Sequence, residues 1–268
     1  MSFATIDHAA GLLADLRLKL GGFAVIDELP PQCRPETLFD AYEVQSRVRE
    51  LLSRRHPGRQ IGRTIDCISS VMQGYLKVPH PCAGTLYENT TYRDHAVLQA
   101  DRYARFGLNC EIGVELSSDL TERRDLYTAE TVAPAVGSVM TVIGIVEHRF
   151  RDFRQTRLTS LVADDFLSAG CVLGAPVKAQ DVADLQTLIG SLTLDGRVTA
   201  ASSYGAAAPM PVLSALAWLA QHCIGLGEPL QAGQIVTLGS IVKPVYPKPG
   251  QRIEAAFDGL PPASIEVT

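Results

Sequence analysis

The hydrophobic periodicity of the chain changes near Gly58, and this change constrains the fold more than any other feature. Before it, apolar residues recur with the spacing of amphipathic helices. After it, short segments alternate apolar and polar residues, which is typical of strands. We therefore predict an α+β protein, with a helical N-terminal region over residues 1–57 and a β-rich domain over residues 58–268.

Individual elements follow from the same patterns. Helices are predicted over residues 6–20, where Gly21-Gly22 ends the helix, and over 35–54, 128–139 and 211–224. Strands are predicted over residues 60–64, 108–116, 140–146, 168–173, 235–238 and 252–257. Asp195-Gly196, between two apolar segments, indicates a hairpin. Residues 66–83 are expected to be irregular, and residues 147–160 to form a polar surface loop.

Composition excludes several classes of function. The 268 residues carry a net charge of −5 without a basic block, so nucleic acid is not an expected partner. The chain lacks an apolar run of the ~20 residues that a membrane helix needs, and it does not begin like a secreted protein, so we expect a cytoplasmic protein without membrane contact. Its six cysteines show no CxxC spacing, which favours reduced thiols over disulfides or a zinc site.

The segment FGLNCEIGVELSSDL, residues 106–120, contains the polar pair most suited to chemistry. In a strand with a period of two, Asn109 and Glu111 point to the same side. An amide and a carboxylate so placed can reach one ligand or ion. From spacing alone, however, a solvated strand face is the simpler interpretation, because charged residues are mostly exposed.

Four segments in order resemble one known family. They are RPETLFDAYEVQ (34–45), the stretch 76–87 with Pro81 and Gly84 in a PxxG pattern, VADD with LSAGCVLG (162–174), and LSALAWLAQHCIGLGEPLQAGQIVTLGSI (213–241). They are similar to the 2-keto-4-pentenoate hydratase and 4-oxalocrotonate decarboxylase branch of the fumarylacetoacetate hydrolase superfamily. The resemblance implies a mixed β-roll with a small helical N-terminal region, assembled as a homo-oligomer. It also implies a magnesium or manganese ion that holds a 2-keto acid and stabilises its enolate.

The family's functional positions are only partly preserved. Its GYKIG lysine falls on Gln60, and its ExE metal pair falls on Asn109 and Glu111. The third acidic ligand precedes IVDSR, which matches IVEHR here, so that position is Gly144, followed by His148 and Arg149. Paired serines become Leu167 and Ser168.

Of the three carboxylates that would bind the metal, only Glu111 remains. One carboxylate and one amide give too little negative charge for a hard cation such as magnesium, so we expect no metal and no other cofactor. An error in the alignment at Gly144 would restore the conventional magnesium or manganese site.

Three interpretations stay open at this stage: an enzyme that uses the family pocket without metal, a conventional metal-dependent hydratase or decarboxylase, and a non-catalytic relative that serves as a binding or partner subunit. We expect the first, acting on a small 2-keto or 2-hydroxydienoic acid. The candidate catalytic residues are Glu111, Arg149, His148 and His80, and the candidate substrate-binding residues are Gln60, Asn109, Ser168 and Ser240. A surface or structural role is the simpler alternative for both histidines.

Overall fold

Two mixed β-sheets form the body of the structure, a computed structural model that describes residues 1–18, 25–182, 184–208 and 210–268. Helices in the described ranges are α1 Phe3–Leu18, α2 Leu38–Ser53, α3 Ser70–Leu76, α4 Ala129–Val132, α5 Leu158–Ala163, α6 Tyr204–Ala207 and α7 Val212–Gly225. Strands are β1 Gln60–Asp66, β2 Cys82–Tyr87, β3 Thr91–Arg93, β4 His95–Leu98, β5 Phe106–Leu116, β6 Val136–Glu147, β7 Ser168–Leu173, β8 Val177–Lys178, β9 Ile189–Leu194, β10 Arg197–Ser203, β11 Ile235–Ser240, β12 Arg252–Phe257 and β13 Ala263–Val267.

The larger sheet has eight strands in the order β2-β1-β11-β5-β6-β7-β3, with β8 paired to β6, and the smaller has five in the order β10-β9-β12-β13-β4. Strands β5 and β6 form the long antiparallel pair at the centre of the larger sheet. In β5 only Glu115 is partly exposed, so both faces of this strand are covered by protein. The expectation of a solvated strand face is therefore wrong, because the period of two does not reveal that the polar face is also covered.

The helical N-terminal segment packs against the β-rich part. Helix α1 packs on α2, and α2 packs on α5. Thr37 caps α2 in a capping box with Asp40, so the helix begins at Leu38 and Pro35 precedes it. The α+β class is confirmed, whereas a domain boundary at residue 57 stays a prediction. The predicted end of α1 at residues 19–20 and its Gly21-Gly22 stop lie outside the described residues.

Two element predictions were wrong for local reasons. Residues 128–139 do not form one helix: α4 ends at Val132, Pro134 follows, and β6 already begins at Val136. Proline disrupts a helix interior, and pairing with β5 recruits the following β-branched residues. Residues 66–83 are not wholly irregular, because α3 forms over residues 70–76, capped by Ser69.

Other predictions are confirmed. The Asp195-Gly196 hairpin joins β9 to β10, and both turn residues have positive φ, 51° and 75°, as this tight turn requires. All six cysteines are free and buried. Among the helices of the described ranges, none is both long and apolar enough to cross a membrane.

Candidate functional site

Strands β5 and β6 bring Asn109 and Glu111 together over Gly144. Asn109 lies directly opposite Gly144 in the strand register, which agrees with the positions assigned from sequence. A Cβ atom added to Gly144 would lie 2.3 Å from Asn109 Oδ1 and 2.5 Å from Glu111 Oε1. The two side chains therefore point the same way, as the alternation predicts, and they fill the space that a side chain at residue 144 would need.

The carboxyl group of Glu111 is placed where its proton is held near neutral pH. The residue is 5% exposed, and burial raises its pKa from 4.5 to about 7. Hydrogen bonds from the side chains of Thr237 and Asn109, and from the backbone of Gly239, act in the opposite direction but do not cancel the effect of burial. A carboxyl group with such a pKa can both donate and accept a proton near pH 7.

Asp66, at the end of β1, is a second buried carboxyl group that the sequence patterns did not identify. It faces the same small cavity as Glu111, and Thr64 Oγ1 donates a hydrogen bond to its Oδ2 at 2.9 Å. Burial first, and then the charge of Glu111, raise the pKa of Asp66 well above its ordinary value. The alternation of Thr64 and Asp66 along one strand could have indicated this residue if the strand had been extended beyond residue 64.

The cavity between these groups, called the inner cavity below, is very small. Its volume is about 10 Å³, close to the lower limit for holding one water molecule. Beside it, Asn109 is 3% exposed, and its Oδ1 has no hydrogen-bond partner. The inner cavity is lined by Thr64, Asp66, Leu86, Glu111, Gly144, Ile145, Val146, Ser168, Gly170, Cys171 and Thr237.

A much larger cavity, called the outer cavity below, adjoins the inner one. It has a volume of about 430 Å³, and Ser168 and Gly170 line both cavities. Its walls come from several elements, including Arg17 of α1, Tyr87 of β2 and Arg102 after β4. A small organic acid in the outer cavity would thus lie next to the inner carboxyl groups.

Arg149 lines the outer cavity, but its guanidinium is committed to protein partners. The residue is 2% exposed, and it donates from Nε to Asp164 Oδ2 at 2.8 Å and from Nη1 to Glu147 Oε2 at 3.1 Å. Its Nη2 donates to the carbonyl oxygen of Ser168 at 3.0 Å. The ion pairs with Asp164 and Glu147 therefore fix the backbone at Ser168, one wall of the site.

Arg17 is a further residue that sequence reasoning missed. Its Nε donates to Asp164 Oδ1 at 3.1 Å, and its Nη2 lies 3.0 Å from Asp165 Oδ2. Tyr87 Oη donates to the same Asp165 oxygen at 3.2 Å. Helix α1 thus supplies a buried cation to the wall of the outer cavity.

The backbone next to Ser168 is strained. Asp165, Phe166 and Leu167 have φ values of 48°, 51° and 68°, three consecutive non-glycine residues in the left-handed region. Each such residue costs about 1–2 kcal/mol. The surrounding ion pairs and the burial of all three side chains offset this cost, and strain of this kind is concentrated at functional sites.

The two candidate histidines lie away from the inner cavity. His148 Nε2 is 3.0 Å from Tyr246 Oη in a separate surface pocket that also contains Arg105. His80 Nδ1 lies 2.7 Å from the carbonyl oxygen of Pro81, and its ring stacks on Trp218 with 5.7 Å between centroids. The structure thus does not bring either histidine to Glu111.

The remaining candidates differ in position. Ser168 lines both cavities. Ser240 lies opposite Glu111 in the strand register, but its hydroxyl donates to the carbonyl oxygen of Val242 at 2.6 Å. Gln60 is half-buried at the start of β1, outside the residues that line either cavity.

Comparison with known proteins places this site in a family. No family model matches the chain. The chain is 31% identical over 252 residues to 2-keto-4-pentenoate hydratase of Burkholderia vietnamiensis, covering 94% of both chains. It is 32% identical over 256 residues to the enzyme of that name from Paraburkholderia phymatum, covering 95% of this chain and 94% of the relative.

A solved structure shows the same fold. The 4-oxalocrotonate decarboxylase of Pseudomonas putida, complexed with magnesium and adipate, superposes with a TM-score of 0.90 at 23% identity, over 100% of this chain and 99% of that one. The identity, coverage and fold agree with the resemblance found in the sequence. The chain belongs to the 2-keto-4-pentenoate hydratase and 4-oxalocrotonate decarboxylase branch of the fumarylacetoacetate hydrolase superfamily.

Proposed function

We propose that the chain is a lyase that acts through the enol or enolate of a small 2-keto or 2-hydroxydienoic acid, with Glu111 transferring the proton. The observation that carries this proposal is the buried carboxyl group of Glu111, whose pKa is raised to about 7, facing the inner cavity. Proton transfer at the carbon next to a keto group is most efficient when the acid or base has a pKa near the working pH.

The residues over Gly144 do not fit the metal ion of the family. Magnesium requires about six oxygen ligands in nearly octahedral geometry, usually including carboxylates. Here Asn109 and Glu111 fill the space over Gly144, and about 10 Å³ remains beside them. The described ranges contain no group of three or more His, Cys, Asp or Glu side chains that could hold a metal. We therefore propose a reaction in which no step passes through a bound metal.

Asp66 offers the stabilisation that the metal would otherwise supply. Its pKa is raised well above the ordinary value, so the group is held protonated when the inner cavity is otherwise dry. A neutral carboxylic acid can donate a hydrogen bond to the oxygen of a developing enolate. In this scheme Glu111 moves the proton, and Asp66 stabilises the enolate oxygen.

The substrate would enter from the outer cavity. Its keto-acid end would approach Glu111 past Ser168, the residue whose hydroxyl-bearing side chain lines both cavities. Arg149 acts here by holding the wall at Ser168 rather than by a bidentate contact with the substrate, because its guanidinium already donates to Asp164 and Glu147.

Turnover of 2-keto-4-pentenoate by the wild type and by Glu111→Gln, measured with a chelator present, tests the proposal. Glutamine keeps the shape of the side chain but cannot transfer a proton, so turnover should fall by ~10²–10⁴-fold. Glu115→Gln, on the same strand but partly exposed, is the matched control and should retain turnover. Wild-type turnover by Glu111→Gln would refute the role of Glu111, and activity that requires added magnesium would refute the metal-free reaction.

A further inference from the structure

One end of the outer cavity carries a cation that the proposed chemistry does not use. Arg102 lies at the end of the short turn after β4, and its side chain lines the outer cavity. Arg17 and Arg149 line the same cavity but are bound to carboxylates, chiefly Asp164. Within the described ranges, Arg102 makes no such ion pair within 4.0 Å.

The surroundings of Arg102 suit an anionic group. Tyr92 and Tyr103 line the cavity with it, and Tyr103 is held by a ring contact to Phe106 at 4.9 Å. Burial raises the pKa of both phenols, and the neighbouring charge of Arg102 partly opposes this effect. The phenols therefore stay neutral near pH 7 and do not compete as anions for the guanidinium of Arg102.

The two ends of the outer cavity thus differ in chemistry. The end at Ser168 and Gly170 adjoins the carboxyl groups of Glu111 and Asp66, whereas the guanidinium of Arg102 is free to meet a ligand elsewhere on the wall. A planar guanidinium binds a carboxylate through two parallel hydrogen bonds. A substrate that carries a second carboxylate could therefore react at one end and be held at the other.

We infer that Arg102 is a specificity-determining residue that binds the distal carboxylate of a dicarboxylic 2-keto or 2-hydroxydienoic acid. This inference rests on the proposed function only for the reaction at the inner end. The competing possibility is a substrate with an apolar tail packed against Val97 and Leu98, which line the same cavity. That substrate would need a single carboxylate and would not depend on Arg102.

Calorimetric titration with adipate and with hexanoate separates the two possibilities. Both probes have six carbons, but only adipate carries a second carboxylate. Wild-type protein should bind adipate more tightly than hexanoate, and Arg102→Gln should weaken adipate binding on the order of tenfold or more while leaving hexanoate unchanged. Arg105→Gln is the matched control: Arg105 lies over the ring of Tyr246, 4.4 Å from its centroid, outside the outer cavity.

Equal affinity for the two probes, equal weakening of both by Arg102→Gln, or no binding of either would overturn the inference. A Glu111→Gln variant distinguishes this failure from failure of the proposed function. If that variant keeps turnover but still prefers adipate, Glu111 is not the proton-transfer group and the role of Arg102 stands. If it loses turnover and binds both probes equally, the role of Glu111 stands and that of Arg102 falls.

Discussion

Replacing Glu111 with glutamine should change how the stability of the protein depends on pH. The pKa of Glu111 rises from 4.5 to about 7 on folding because the carboxyl group is buried. At ~1.36 kcal/mol per pH unit, this difference corresponds to about 3 kcal/mol of unfolding free energy. Glutamine has a similar shape but does not titrate, so this contribution disappears in the variant.

The sign follows from the direction of the shift. The folded protein holds the Glu111 proton more tightly than the unfolded chain, so protonation stabilises the fold fully below pH 4.5, and this stabilisation is lost as the pH rises through about 7. The unfolding free energy of Glu111→Gln minus that of the wild type should therefore increase by about 3 kcal/mol between pH 4 and pH 8. Asp66 reinforces the trend, because its pKa is raised partly by the charge of Glu111.

Urea unfolding at a series of pH values, with chelator present, measures this difference directly. Glu115→Gln serves as the control, since Glu115 is partly exposed on the same strand and its difference curve should be nearly flat. The m-values should agree among the three proteins, so that midpoints report stability alone. A Glu111→Gln difference that stays constant between pH 4 and pH 8 would refute the raised pKa and with it the electrostatic basis of the proposed mechanism.

Further predictions concern packing, charge, metal content and assembly. Gly144→Ala should lose about 1–3 kcal/mol of stability in urea unfolding, because the new Cβ would overlap Asn109 Oδ1 and Glu111 Oε1; an unchanged midpoint would contradict this. Arg149→Leu should lose about 3–5 kcal/mol, since Asp164 would be left as a buried charge with one partner fewer, and wild-type thermal stability would argue against that role. Elemental analysis of the purified protein should find no stoichiometric divalent ion, and about one magnesium or manganese per chain would restore the conventional site. Light scattering at micromolar concentration should give the mass of a homo-oligomer, and a monomer mass would count against this assembly.

Sequence patterns could predict the local part of the site. The alternation in β5 was sufficient to place Asn109 and Glu111 on one side, and the spacing of IVEHR was sufficient to align Gly144 with the missing ligand. Both inferences depend on residues within single strands, where the period of two fixes the direction of each side chain.

The remaining residues come from contacts that no local pattern contains. Asp66 reaches Glu111 because β11 lies between β1 and β5, and this strand order is not encoded in the periodicity of any one strand. Arg17 meets Asp164 across 147 positions of sequence. The polar face of β5 was predicted to be solvated because alternation distinguishes two faces but does not tell what covers them.

The ion pair between Arg17 and the strained turn at residues 165–167 has a consequence for protein engineering. Helix α1 carries the guanidinium that binds Asp164 and Asp165, and the turn leads directly to Ser168. A chimera that takes its first helix from a relative lacking an arginine at residue 17 would leave those carboxylates with fewer partners beside the substrate cavity. The N-terminal helix therefore cannot be exchanged as an independent cassette: donor segments must be chosen together with the Asp164-Asp165 turn that they complement.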